Sequence, residues 1–260
     1  MNSFINRTIS GTLILIISFI CIYLKGYALV GYSMAITIFC LIELFRTFKL
    51  NDVFMIGFSL IFSMGMLYSI SISNENLVLT FFASYFLIIS IYYLFFNKMS
   101  IESLGRLLFS FIYISVPMGV FLKLGYTNLL WIVFLISWGT DTFAYLFGII
   151  FGKHKLCPSI SPKKTIEGAL GGIFGSLILL NLFNYFVLKN NIVFVTLSVI
   201  ILSIVAQIGD LFASKIKREM GIKDFSNIIK GHGGFLDRFD SIIFVTPLVY
   251  IVFYIFGGNI

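Results

Sequence analysis

Cysteine and charge are both scarce in this chain of 260 residues. The three cysteines, Cys21, Cys40 and Cys157, show no CxxC spacing, and the first two lie inside apolar runs where a thiol acts as a small hydrophobe. A disulfide framework and a cysteine-rich zinc site are therefore excluded. Charged side chains make up 11% of the residues against 59% hydrophobic, and mean hydropathy is +1.04, which excludes an ordinary soluble globule. No fixed-period internal repeat and no low-complexity linker is visible. The opening stretch, MNSFINRTISGTLILIISFICIYLKG, places one arginine ahead of an apolar run but offers no small-residue A-x-A-like cleavage site. It is expected to remain as a first transmembrane helix rather than act as a signal peptide.

What is abundant is apolar length. A helix needs roughly 20 mostly apolar residues to cross the hydrocarbon, and about nine stretches qualify, centred near Ile16, Ala35, Phe62, Leu87, Tyr113, Phe134, Leu179, Val199 and Tyr250. The expected fold is all-α, a polytopic integral membrane protein with about nine transmembrane helices. Alternating sides across these spans collects Lys25, Lys123 and Lys189 on one face and all the other basic residues on the opposite face. Positive charge concentrates in cytoplasmic loops, so the N-terminus is expected in the cytoplasm and the C-terminus outside, in the cell's inner membrane.

Loops up to Trp131 are mostly short, and the chemistry-bearing segments follow: GKHKLCPSISPKKTIEG from Gly152 to Gly168, and SKIKREMGIKDFSNIIKGHGGFLDRFD from Ser214 to Asp240. Both fall on the cytoplasmic face in this reading. The chain reads as one integrated membrane domain, with a scaffold half over residues 1–130 and a catalytic half over residues 131–260.

Carboxylates inside apolar spans narrow the chemistry, since an ionised side chain at the bilayer centre costs about 3 kcal/mol on insertion scales and should face a polar interior. Asp141 follows FLISWGT and Asp210 follows IVAQIG. Either alone is accounted for by a helix-packing hydrogen bond or by snorkelling from a helix end. As a set they say more. A helix from Asp210 through Arg218 puts Ser214 at i+4 and Lys217 at i+7 on the aspartate's face, and Asp237 and Asp240 at i, i+3 share a face if they too are helical.

Clustered carboxylates in a chain with only two histidines suit a hard, oxygen-preferring cation such as Mg2+ rather than zinc. Lys163, Lys164, Lys217, Arg218, Lys223 and Arg238 supply donors for phosphate oxygens. Lysines in cytoplasmic loops also follow from the positive-inside rule alone and bind anionic lipid head groups. Gly168, Gly171 and Gly172 in TIEGALGG, and Gly231, Gly233 and Gly234 in GHGG, permit close backbone approach to a ligand, while the GHGG glycines equally suit a plain turn. The implied ligand class is a polyanion with a divalent metal.

Order and spacing then carry a resemblance. The stretch GDLFASKIKREMGIKDFSNIIKGHGGFLDRFD, Gly209 to Asp240, resembles the signature of the phosphatidate cytidylyltransferase (CDP-diacylglycerol synthase) family. That pattern runs Ser, any, apolar, Lys-Arg, four residues, Lys-Asp, a short spacer, His-Gly-Gly, two residues, Asp-Arg, one residue, Asp. It is met by Ser214, Lys217, Arg218, Lys223, Asp224, His232, Gly233, Gly234, Asp237, Arg238 and Asp240. A second block, DTFAYLFGIIFGKHKLCPSISPKKTIEGALGG from Asp141 to Gly172, is similar to the family's other region, including its Ser-Pro-Lys-Lys-Thr and Glu-Gly elements. The family commonly has proline immediately before Gly-His-Gly-Gly, where this chain has Lys230, which bears on the stiffness of that turn. The N-terminal half resembles the family only in hydropathy.

The resemblance implies transfer of CMP from CTP to phosphatidate, giving CDP-diacylglycerol and pyrophosphate, with Mg2+ as cofactor. Its implied partners are the two substrates and the lipid bilayer, with no nucleic acid and with a homodimer left open. On this reading Asp210, Lys217, Arg218, Lys223, Asp224, His232, Asp237, Arg238 and Asp240 form the catalytic set. Ser161, Lys163, Lys164, Thr165, Glu167, Gly168, Ser214, Gly233 and Gly234 serve substrate binding, and metal is held by Asp210, Asp237 and Asp240, with Asp141 as a further ligand or an ordering group. Phosphatidate is already an anion, so catalysis consists of alignment and charge neutralisation. Three rival readings remain. A CTP-dependent polyprenol or lipid kinase handles nucleotide and metal alike. A cation-coupled transporter also places aspartates in the membrane, although no inverted repeat is visible here. A CDP-alcohol phosphotransferase has a DGxxAR-type motif that this chain lacks.

Overall fold

In hydrocarbon a backbone N–H or C=O finds no water to bond, so an apolar run satisfies itself by becoming helical. The computed structural model describes residues 12, 16–96, 99–228 and 233–256. Among these residues eight helical segments are long and apolar enough to cross a membrane: Gly26–Thr47, Val53–Ser71, Glu75–Phe95, Ile101–Leu124, Leu129–Phe151, Ile166–Leu188, Ile192–Glu219 and Leu236–Ile255. Each contains one of the expected centres from Ala35 onward. The span expected around Ile16 falls partly outside the described residues, and residues 16–24 are helical (α1). The all-α expectation holds, apart from one short hairpin.

Two compact units make up the chain, Met1–Tyr126 with Asp224–Asp237, and Thr127–Lys223 with Arg238–Ile260. The segment Asp224–Asp237, which sequence alone assigns to the C-terminal half, belongs to the first unit because its hydrogen bonds run to the second helix of that unit.

The first unit contains α2 (Gly26–Thr47), α3 (Val53–Ser71), α4 (Glu75–Phe95), α5 (Ile101–Ser110) and α6 (Val116–Leu124). Helices α5 and α6 form one span interrupted by a π-helical turn at Phe111–Ser115. Pro117 lies just beyond that turn and has no N–H for the carbonyl of Tyr113, a common cause of local rewinding. Side-chain oxygens of Asp52, Asn74 and Ser100 accept N–H groups at the starts of α3, α4 and α5, which leaves fewer orphan donors there. Inside the unit, Leu41, Leu44, Met55, Tyr85 and Phe121 are fully buried. Hydroxyls tie helices across this apolar interior: Ser59 Oγ lies 2.9 Å from Tyr85 Oη, and Ser63 Oγ lies 2.7 Å from Ser115 Oγ.

The second unit contains α7 (Leu129–Phe151), a two-stranded antiparallel hairpin of β1 (Lys155–Cys157) and β2 (Ser161–Thr165), then α8 (Ile166–Phe183), α9 (Ile192–Glu219) and α10 (Leu236–Val249), whose first two residues belong to the first unit. The hairpin register pairs Lys155 with Thr165 and Cys157 with Ser161. Small residues let α8 approach α7 closely. Phe147 and Phe143 fill the space beside Gly171 and Gly175, and a Cβ at Gly172 would stand 2.8 Å from the Thr140 carbonyl. Gly171 and Gly172, expected to face a ligand, are therefore helix-packing glycines. Thr140 Oγ1 lies 2.7 Å from Ser176 Oγ and 2.9 Å from Ser203 Oγ, so one buried hydroxyl cluster links α7, α8 and α9.

Candidate active site

The second unit contains a partly open cavity of about 400 Å3, and its wall is divided by chemistry. Asp141 of α7, Asp210 and Gln207 of α9, and Lys163 and Lys164 of β2 supply polar groups, while Tyr145, Ile149 and Leu156 supply apolar surface. Secondary structure explains why these groups meet. Asp141 and Tyr145 stand one helical turn apart on α7, as do Gln207 and Asp210 on α9, so each pair presents to one side. The hairpin brings its lysines to the same place. Thr165 closes β2 and caps α8, its Oγ1 accepting from Gly168 N at 3.1 Å, and the chain turns into the helix at that point. Gly168 lines the cavity and also packs on α7, since a Cβ there would stand 2.7 Å from the Ala144 carbonyl.

Lys164 Nζ forms an ion pair with Asp210 Oδ2, each side chain being about a quarter exposed. Gln207 donates from Nε2 to the Ala169 carbonyl at 3.2 Å, which fixes its amide at the cavity wall. On α10, Asp240 is buried and its charge interacts with those of Asp210, Asp141 and Lys217. Ser241 bridges two of these carboxylates, its Oγ standing 3.3 Å from Asp240 Oδ1 and 3.4 Å from Asp141 Oδ2. Ser214 Oγ reaches Asp210 Oδ1 at 3.4 Å, in keeping with the i, i+4 spacing of the sequence, and Lys217 on the same helix is buried. Arg238 is exposed and lies within electrostatic range of Asp141. Three carboxylates from three helices, Asp141, Asp210 and Asp240, thus stand within electrostatic range of one another.

Several expected site residues do other work. Glu167 accepts from Lys153 N at 3.0 Å and His154 N at 3.2 Å, and His154 Nδ1 lies 2.6 Å from it, so this carboxylate anchors the entry to the hairpin and does not line the cavity. Arg218 donates from Nε to the Ile160 carbonyl at 3.3 Å and from Nη1 to the Ile222 carbonyl at 3.0 Å, tying the end of α9 to the hairpin turn. Ser161 is half-buried in the hairpin and Lys223 is exposed, and neither lines the cavity.

The part of the motif from Asp224 to Asp237 belongs to the first unit, and Asp237 ties two of its stretches together. Asp237 Oδ2 accepts from Phe225 N and from Gly234 N, both at 2.9 Å, the second being a reach back from the first turn of α10. Expected as a metal ligand, Asp237 has one carboxylate oxygen committed to loop closure. Gly233 has φ +82°, a conformation that only glycine adopts freely, and Asp224 is exposed with its Cβ beside Gly233. His232, with Lys230 and Gly231, lies outside the described residues.

Sequence reasoning missed Glu43. This α2 residue has no exposed surface and accepts hydrogen bonds from Ser226, Phe235 and Leu236. The signal was a glutamate alone in the apolar run LIELF. Gln207 was missed too, since an amide one turn before an aspartate has no distinctive spacing.

The arrangement of paired lysine and aspartate, two further carboxylates and an apolar wall fits a phosphorylated ligand with an apolar portion. Residues 5–256 match the profile of the cytidylyltransferase family. The chain belongs to that family. Among its relatives, a phosphatidate cytidylyltransferase of Staphylococcus aureus (strain COL) is 48% identical over 159 residues, which cover 60% of this chain and 61% of the relative. Those of Staphylococcus haemolyticus (strain JCSC1435) and Staphylococcus epidermidis (strain ATCC 12228 / FDA PCI 1200) are 46% and 45% identical over the same shares of each chain. The alignments thus span about three-fifths of the length of these curated relatives. The resemblance carried by the two motif blocks is borne out at the level of the cytidylyltransferase family.

Proposed function

We propose that this member of the cytidylyltransferase family transfers CMP from CTP to phosphatidate, making CDP-diacylglycerol and pyrophosphate. The observation that carries the reading is the cavity in which Lys163, the Lys164–Asp210 pair and Asp141 stand beside the apolar surface of Tyr145, Ile149 and Leu156. Cationic donors suit a triphosphate, and the apolar wall suits a lipid acceptor. A phosphate oxygen of phosphatidate forms a bond to the α-phosphorus of CTP, the bond from that phosphorus to the bridging oxygen breaks, and pyrophosphate departs with the electron pair. No proton has to be removed from the nucleophile, so the residues serve chiefly to align the two anions and offset their repulsion. Lys163 and Lys164 are assigned to the triphosphate. Lys217 and Arg238 are assigned to the charge of the acceptor and the departing pyrophosphate.

Magnesium fits the donor set. Among the described residues no three His, Cys, Asp or Glu side chains gather closely enough to cage an ion. Mg2+ asks for less, because it keeps several waters and binds through one or two carboxylates plus substrate phosphates. Asp141 and Asp210, which both line the cavity, are the assigned holders, and the bound ion would neutralise phosphate charge and orient the triphosphate. The site is assigned to the cytoplasmic face, where CTP is available, at head-group depth.

The test is product formation. Purified protein in detergent with CTP, phosphatidate and Mg2+ should yield CDP-diacylglycerol and pyrophosphate in equal amounts by mass spectrometry, and chelation of divalent ions should stop both. Absence of the lipid product from folded protein overturns the reading.

A further inference from the structure

Glu43 is a carboxylate with no exposed surface in a membrane-spanning helix. Among the described residues no salt bridge engages it. Its charge is met by three donors from one segment: Oε1 accepts from Ser226 Oγ at 2.6 Å and from Phe235 N at 2.9 Å, and Oε2 accepts from Leu236 N at 2.8 Å. Ser226 stands near the start of Asp224–Asp237 and the other two near its end, so one carboxylate fastens both ends of the segment to α2. The Phe235 and Leu236 N–H groups sit at the start of α10, where helix geometry leaves donors without partners and favours an anion.

Two neighbouring contacts mark the same fixing point. Phe39, one turn before Glu43, stacks on Phe235 with ring centroids 4.5 Å apart and planes 8° from parallel. Gly234 lies against the carboxylate so closely that a Cβ there would stand 2.5 Å from Oε2 and 2.6 Å from Oε1. Asp237 closes the segment from within, through Phe225 N and Gly234 N. The segment is therefore held twice, internally by Asp237 and externally by Glu43.

We propose that Glu43 is a positioning residue for the cytidylyl transfer. It fixes the Asp224–Asp237 segment, and so sets the backbone from which Asp224 and Asp237 are presented. The catalytic half of this proposal rests on the function proposed above.

The experiment uses the full chain in detergent, with Glu43→Gln and Ser226→Ala, singly and together, and with Glu102→Gln as a control that removes an exposed carboxylate of the same unit. An amide in place of the carboxylate presents N–H toward N–H, so Glu43→Gln should speed hydrogen exchange of residues 224–237 by about tenfold while α3 and α4 keep their protection. Per mole of folded protein, kcat should fall by about tenfold with KM for CTP changed less than about threefold. Both substitutions break the Ser226 bond, so the double variant should lose less than the product of the single losses. Should Glu43→Gln fail to fold, Ser226→Ala alone should move both readouts in the same direction by about threefold. Wild-type exchange across 224–237 overturns the proposal, and so does a wild-type kcat per folded molecule when exchange has risen. A wild-type protein that makes no CDP-diacylglycerol overturns the functional reading instead, and the exchange rates then decide whether Glu43 holds the segment.

Discussion

Lys164 of the hairpin and Asp210 of α9 are joined in an ion pair on the wall of the cavity. Each neutralises the other in the partly buried site, and each is available to exchange that partner for a charged ligand. Replacing Asp210 with Asn should leave the fold intact and lower kcat/KM for CTP by about a hundredfold or more, the scale seen when one preorganised electrostatic group is lost. Lys164→Met should act chiefly through weaker CTP binding, raising KM. Steady-state kinetics on detergent-solubilised variants check both. Near-wild-type kcat/KM in Asp210→Asn removes this residue from the site.

Glycine packing between α7 and α8 gives a prediction about stability. At Gly172 an added methyl group meets the backbone carbonyl of Thr140, which cannot rotate away. Gly172→Ala should destabilise by about 1–3 kcal/mol, as overpacking does. At Gly31, in α2, a Cβ meets nothing within 4 Å, so Gly31→Ala should be neutral or stabilising, by up to about 1 kcal/mol. Thermal unfolding in the same detergent should show a lowered melting temperature for Gly172→Ala and an unchanged or raised one for Gly31→Ala.

The turn into α8 depends on Thr165, which is buried and caps the helix through its hydroxyl. Thr165→Val keeps the shape and loses the acceptor, which should cost about 1 kcal/mol. Thr165→Ser should restore it. Because Lys163 and Lys164 directly precede this residue, Thr165→Val should also raise KM for CTP, and unchanged KM with a lowered melting temperature would confine its role to stability.

Much of this architecture is legible in the amino-acid sequence. Hydropathy locates the spans because length and apolarity are local properties, and every expected centre from Ala35 to Tyr250 lies within a helix. Helical spacing correctly puts Ser214 beside Asp210. The hairpin has no such local signature, since PSISPKKT reads as a polar loop and its pairing depends on the helices at either end. Glu43 is invisible for a different reason. Its partners lie far along the chain, and nothing local marks a buried glutamate as a clamp rather than a packing residue. Asp237 illustrates the limit of motif reading: its spacing marks it as important, while its hydrogen bonds to Phe225 and Gly234 assign it to loop closure. Gly171 and Gly172 illustrate the reverse, small residues whose room is taken by another helix.

The fate of label from CTP tests the central claim most directly. The purified chain, given Mg2+ and phosphatidate, should move label from the α-phosphate of CTP into lipid and release γ-label only as pyrophosphate, with Asp210→Asn inactive in the same assay. Transfer of γ-label to a lipid acceptor, with α-label left in CDP, would contradict cytidylyl transfer and identify a CTP-dependent lipid kinase.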